Sequence, residues 1–161
     1  MTKKNLFLFA IALCAMPVWA ESFSMEAYEE LHSQCQRNNL DACVQFGIWT
    51  RDEMERPAEA VAPMQKACDG GNMKGCNVLA GLYLNEYSGL GMDDRRAKAL
   101  YERACQGGYQ NACINLQNTN WKELAEQRKN DDEAHQQHLR QACVRENEAA
   151  CQALRREMQK R

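Results

Sequence analysis

Four pairs of cysteines, each with seven residues between its members, constrain this chain more than any other feature. The first cysteines of successive pairs lie 33, 37 and 38 residues apart. An element that returns every thirty-odd residues is typical of a repeat array rather than of a single globular core. The pairs are Cys35 and Cys43, Cys68 and Cys76, Cys105 and Cys113, and Cys143 and Cys151.

The cysteine count favours disulfides. The chain has 9 cysteines, and Cys14 lies in a segment that we expect to be removed, which leaves an even number. The simplest assignment is one local bridge across each spacer, so that the cysteines pair in chain order. The alternative is a zinc site, but zinc-binding cysteines usually lie about two to four residues apart, and no two cysteines of this chain are that close.

Residues 1–20 have the pattern of a secretory signal peptide. Lys3 and Lys4 give a basic start, Leu6–Met16 is an apolar run, and Pro17 ends it. The run is shorter than the roughly 20 residues that a membrane span needs. No second apolar stretch follows, so we expect no membrane span.

We expect the exported chain to be periplasmic, with secretion as the alternative, because disulfides persist in oxidising compartments. Leu13 precedes Cys14 where a lipoprotein signal has a small residue, so lipid attachment is not expected. Loss of Lys3 and Lys4 takes the formal net charge from −2 to −4. Nucleic acid and anionic membranes are therefore not the expected partners, because phosphate binding needs clustered basic residues.

Helical periodicity dominates the chain, and the absence of sustained alternation predicts no sheet. Ser24 is expected to cap a first helix, and a second is expected over residues 42–54. Pro57 suits the first turn of a third helix. Pro63 is expected to interrupt that helix or to delay its start.

Further helices are expected to begin at Cys76, at Asp93 or Asp94, and at Asp132 after a break at residues 130–132. A polar terminal helix is expected from Cys151, as the cap of an array. Gly81 is expected to allow two helices to approach closely.

The stretch 67–116 resembles the Sel-one-like repeat, a relative of the tetratricopeptide repeat. The seven-residue cysteine spacing makes it most similar to the disulfide-rich branch known as helicobacter cysteine-rich proteins. The segments that carry the resemblance are ACDGGNMKGC (67–76), AGLY (80–83), GLGMDDRRAKAL (89–100) and YERACQGGYQNAC (101–113).

The resemblance implies an all-α fold in which αα-hairpin repeats form a right-handed superhelical solenoid. Each disulfide would tie the second helix of one unit to the first helix of the next. The signal peptide would be followed by one repeat domain over residues 21–161. Its units would be 24–42, 43–75, 76–112 and 113–150, with a cap helix over 151–161.

The resemblance also implies a function. Members of the family are mostly adaptors that hold another protein in a concave groove, and some relatives are exported immunity proteins that neutralise toxins. We therefore expect a monomeric, non-catalytic module that binds a protein or peptide. Two alternatives stay open: a penicillin-binding protein or weak β-lactamase, which others of this branch are described as, and a structural or redox-buffering protein.

Motifs for catalysis are missing from the sequence. A serine β-lactamase needs a lysine three residues after its nucleophilic serine, and none of the chain's serines has one. His135 and His138, with Glu133 nearby, are a candidate metal pair, although a solvated helix face is the alternative. We expect no catalytic residue, no metal and no cofactor.

Three aromatic residues stand at comparable places in the first helices of successive units. They are Trp49, Tyr83 and Trp121. They are candidate anchors for a partner in the groove, because aromatic side chains often dominate protein interfaces. The alternative is that they belong to the core.

Overall fold

The computed structural model describes residues 23–145 and 147–159, so the expected signal peptide and Cys14 lie outside the described residues. The described residues form eight α-helices and one short 3₁₀ helix, Glu86–Ser88, and contain no strand. The prediction of an all-helical fold is confirmed. The helices are α1 (Met25–Gln36), α2 (Leu40–Asp52), α3 (Pro57–Asp69), α4 (Met73–Tyr83), α5 (Asp94–Gln106), α6 (Gln110–Asn118), α7 (Trp121–Val144) and α8 (Glu148–Met158).

Each cysteine pair forms a disulfide that joins the last turn of one helix to the first turn of the next. The bridges link α1 to α2, α3 to α4, α5 to α6 and α7 to α8. The backbone between them turns through a left-handed residue at Asn38, Gly71 and Gly108. The following N–H then donates to the carbonyl five residues earlier, as Asn72 does to Ala67 at 2.9 Å. This geometry closes a helix and satisfies its last carbonyls.

Asparagine side chains cap the starts of α2, α4 and α8. Each side-chain oxygen accepts a hydrogen bond from the main-chain N–H three residues later, which caps a free donor of the first helical turn. The pairs are Asn39 with Ala42, Asn72 with Gly75 and Asn147 with Ala150. Because these caps precede the second cysteine by four residues, the predicted starts at residues 42, 76 and 151 are two or three residues late.

The third helix runs through its internal proline, so the predicted interruption at Pro63 is wrong. Helix α3 begins at Pro57, and Pro63 is buried within it. Burial against both neighbours outweighs the hydrogen bond that proline removes, since α3 packs on α2 and on α4.

The core lies between α2, α3, α4 and α5. Its largest fully buried side chains are Met64, Leu79 and Leu82. The backbones of α3 and α4 come close at Gly75, where an added Cβ would lie 2.7 Å from the Ala67 Cβ. The close approach predicted at Gly81 is wrong, because a Cβ there would meet only the Tyr101 hydroxyl, at 3.6 Å.

Helix α7 spans 24 residues, and the break predicted at residues 130–132 is wrong. The chain turns instead between α6 and α7, at Thr119 and Asn120. The Asn120 side chain accepts from the Glu123 N–H at 3.2 Å and donates to the Glu123 carboxylate at 2.9 Å, which starts the helix. No described helix has the length and apolar content that a bilayer crossing requires.

Candidate functional site

The first helices of the predicted units, α2, α4 and α6, lie side by side, since α4 contacts both α2 and α6. Their polar outer side is the candidate functional site, which we call the first-helix face. Two hydrogen bonds link the helices along it: Asn72 donates to the Asp41 carboxylate at 2.7 Å, and Asn115 donates to Asn77 at 2.9 Å. The face consists of Asp41, Gln45, Lys74, Asn77 and Asn115.

The Asn77–Asn115 pair has unused hydrogen-bonding groups. The Asn115 amide nitrogen donates to the Asn77 oxygen, which leaves the two N–H donors of Asn77 and the oxygen of Asn115 for another molecule. Ile114 lies beside Asn115 on α6 and is 44% exposed. The free donors of Asn77 suit a peptide C=O and the free oxygen of Asn115 suits a peptide N–H, and Ile114 offers an apolar contact beside Asn115.

A cavity of about 420 Å³ opens at the other end of the face, between α1, α2 and α4. Gln34, Asp41, Gln45 and Lys74 contribute its polar lining. None of the ion pairs formed within the described ranges involves Lys74. Lys74 lines the cavity, and a bound carboxylate could neutralise its charge.

Arg51 and Tyr101 interact electrostatically, and Asp52 compensates the charge of Arg51. Arg51 donates to the neighbouring Asp52 carboxylate at 2.5 and 2.7 Å, which raises the pKa of Arg51 and lowers the pKa of Asp52. Burial raises the pKa of the Tyr101 hydroxyl, and the positive charge of Arg51 partly offsets that effect. Tyr101 is therefore neutral near pH 7 and suited to hydrogen bonding rather than to proton transfer.

The three aromatic residues predicted as partner anchors do not share one position. Trp49 and Tyr83 are 6% and 8% exposed, which favours the core alternative for both. Trp121 is the first residue of α7 rather than part of α6, so its predicted equivalence to the other two is wrong. It is half-buried, its ring packs edge-on to Tyr101, and its indole N–H donates to the Leu116 carbonyl at 2.8 Å.

The residues considered for chemistry lie apart from the first-helix face. His135 and His138 are exposed on α7, and the His135 Nε2 lies 3.3 Å from the Glu157 carboxylate of α8. Within residues 23–145 and 147–159, no three side chains of the metal-binding types converge on one point. Ser24 caps α1, and the buried Ser88 accepts from the Leu90 N–H in the turn that precedes α5.

The sequence interpretation missed Asn77 and Asn115. A signal was present on α6, where Asn111, Asn115 and Asn118 recur at helical spacing next to Ile114 and so mark one polar side. Comparison of the chain with protein-family models, with curated proteins and with solved structures finds no match.

Proposed function

We propose that this chain is an exported repeat protein that binds another protein through the first-helix face and carries out no chemistry of its own. The observation that carries the proposal is the Asn77–Asn115 pair, whose unused donors and acceptor suit the main chain of a bound segment. Ile114 and Lys74 would add an apolar and a charged contact on either side.

The proposed setting is the periplasm. Four disulfides form and persist only where the surroundings are oxidising, which is outside the cytoplasm. We further propose that the hairpins stack as a right-handed Sel-one-like solenoid, with the first-helix face on the concave side. An envelope adaptor and a toxin-neutralising immunity protein would both use this face, and the identity of the partner distinguishes them. The hydrolase alternative rests on the resemblance alone.

Affinity capture with matched variants tests the proposal. The tagged protein is incubated with envelope extract of its own organism, without reductant, beside a variant with Asn77→Leu and Asn115→Leu. The control carries Asn130→Leu and Gln137→Leu, which replace two exposed amides of α7 in the same way.

We expect one protein to co-purify in a fixed ratio with the wild type and with the control, and to be lost from the Asn77/Asn115 variant. Equal retention by all three proteins, or equal loss from both variants, would contradict the role of the first-helix face. Circular dichroism spectra of the variants check that each has kept its fold.

A further inference from the structure

A second groove lies between α3 and α5, and Tyr83 of α4 contributes to its lining. It has a volume of about 320 Å³. We call it the α5 groove. Its lining residues are Gln65, Tyr83, Arg96, Ala99, Leu100 and Arg103.

Four of the lining residues form a stripe along α5. Arg96, Ala99, Leu100 and Arg103 follow the spacing that places side chains on one side of a helix. Seven residues of helix put the two arginines about 10 Å apart along the axis. The stripe therefore presents two cations with an apolar patch between them.

Both guanidinium groups are held by the protein and keep free donors. Arg96 donates to the Tyr83 hydroxyl at 3.4 Å, lies over the Tyr83 ring at 5.7 Å, and pairs with Asp93 at 3.4 Å, although its side chain is 69% exposed. Arg103 uses one terminal nitrogen to donate to the Cys68 carbonyl at 3.0 Å. A guanidinium has several N–H donors in a fixed fork, so each keeps donors for a carboxylate.

A basic residue recurs at the position of Arg103 in the preceding hairpin, but not at the position of Arg96. Lys66 stands two residues before Cys68, as Arg103 does before Cys105, and it donates to the Cys35 carbonyl at 2.7 Å in the same way. The position of Arg96, nine residues before the cysteine, is occupied by Glu59 in α3. The packing of the repeat therefore does not require Arg96, which, besides its contacts with Tyr83 and Asp93, keeps N–H donors for binding.

We propose that the α5 groove binds an acidic helical segment of a partner protein. A helix with carboxylates seven residues apart repeats the spacing of Arg96 and Arg103, and each arginine can bind one carboxylate with two hydrogen bonds. An apolar side chain midway between the carboxylates would cover Leu100. Single-stranded nucleic acid suits the groove less well, because base stacking needs exposed aromatic rings, and Tyr83 is buried.

Fluorescence anisotropy with a synthetic peptide tests this proposal. The labelled peptide is an amphipathic helix of about five turns, with glutamates at positions i and i+7 and leucines at i+3 and i+4. We expect Arg96→Gln to weaken binding about tenfold, since a charge-assisted pair is lost. Arg95→Gln, which removes the same charge from the preceding position on α5, should bind like the wild type.

Two further variants test whether a change in binding reflects a loss of fold or an effect of the first-helix face. Ala99→Glu places an anion on an exposed position of the stripe and should abolish binding, while the Asn77→Leu/Asn115→Leu variant should bind the peptide normally. The proposal is overturned if Arg96→Gln binds like the wild type, or if glutamine in place of both glutamates leaves the affinity unchanged. Equal weakening by Arg95→Gln, or displacement by an oligonucleotide at the peptide's own concentration, would also overturn it.

Discussion

Replacing Cys68 and Cys76 together by alanine removes the bridge between α3 and α4, and the expected cost follows from two terms. The cysteines are 8 positions apart, so the closed loop contains about nine residues, and the chain-entropy model gives about 2.6 kcal/mol for a loop of that length. Both residues are 0% exposed, so the loss of two buried sulfur atoms adds about 0.8 kcal/mol each, if each is counted as one methylene group. The double variant should therefore lose about 4 kcal/mol of unfolding free energy.

The bridge between Cys143 and Cys151 provides the matched comparison. It closes a loop of the same length, so the entropy term is the same, but both cysteines are half-buried. The contacts of α8 are with α7. Removal of the Cys143–Cys151 bridge should cost about 2.6 kcal/mol or less, and the loss should be confined to α7 and α8.

Urea unfolding followed by far-UV circular dichroism measures both costs, after thiol titration has established that the remaining cysteines are oxidised. We expect a clearly lower urea midpoint for the central double variant than for the outer one. An outer variant that is destabilised as much as the central one, or more, would refute the argument that burial adds to loop closure.

Four other changes have expected outcomes. Asn147→Ala removes the cap of α8 and should cost about 1 kcal/mol, measured as a loss of helical signal from a protein whose core still melts normally. The raised pKa of Tyr101 means that the folded state favours its neutral form, so stability should be full below pH about 10 and fall as pH rises further; Tyr101→Phe should reduce that fall in urea midpoint. Gly81→Ala should be neutral or stabilise by up to about 1 kcal/mol, because a Cβ there meets only ordinary contacts. Gly75→Val should destabilise by about 1–3 kcal/mol in the same urea experiment, because its Cβ would overlap with Ala67.

The pairing of neighbouring cysteines could be predicted from the sequence because a nine-residue loop has few ways to close. Between Cys68 and Cys76, Gly70 and Gly71 form a turn in which Gly71 is left-handed, and Asn72 caps the helix that follows. The first pair repeats both features with Asn38 and Asn39, whereas the third pair has the left-handed Gly108 without an asparagine cap. The predicted starts of α2, α4 and α8 are late because each helix begins directly after a capping asparagine, four residues before the second cysteine.

The continuity of α7 was harder to predict, because the residues of its exposed middle neither favour a helix strongly nor end it. Asn130, Asp131 and Asp132 are poor helix formers, but each costs well under about 1 kcal/mol relative to alanine. The sequence after Gly108 contains neither glycine nor proline. The pair between Arg128 and Asp94 of α5, at 2.7 Å, anchors the first half of the helix. Only long-range contacts of this kind could have shown where the helix continues.

The candidate site depends on how neighbouring helices are aligned, which the sequence pattern does not give. Asn77 follows the second cysteine of its pair by one residue, whereas Asn115 follows the second cysteine of the next pair by two. Their contact therefore does not arise from equivalent positions in the repeat. The same holds for Arg96, whose neighbour Tyr83 precedes it by 13 residues across an irregular loop.

Site-specific photo-crosslinking in the native organism can show whether the first-helix face holds a partner protein. A photoreactive amino acid replaces the exposed Ile114, beside Asn115 on α6, in one strain and the exposed Lys98 of α5 in another, and adducts are resolved by mass after irradiation. We expect one discrete adduct from position 114 that position 98 does not give. No adduct from position 114, or the same adducts from both positions, would contradict the role of the first-helix face.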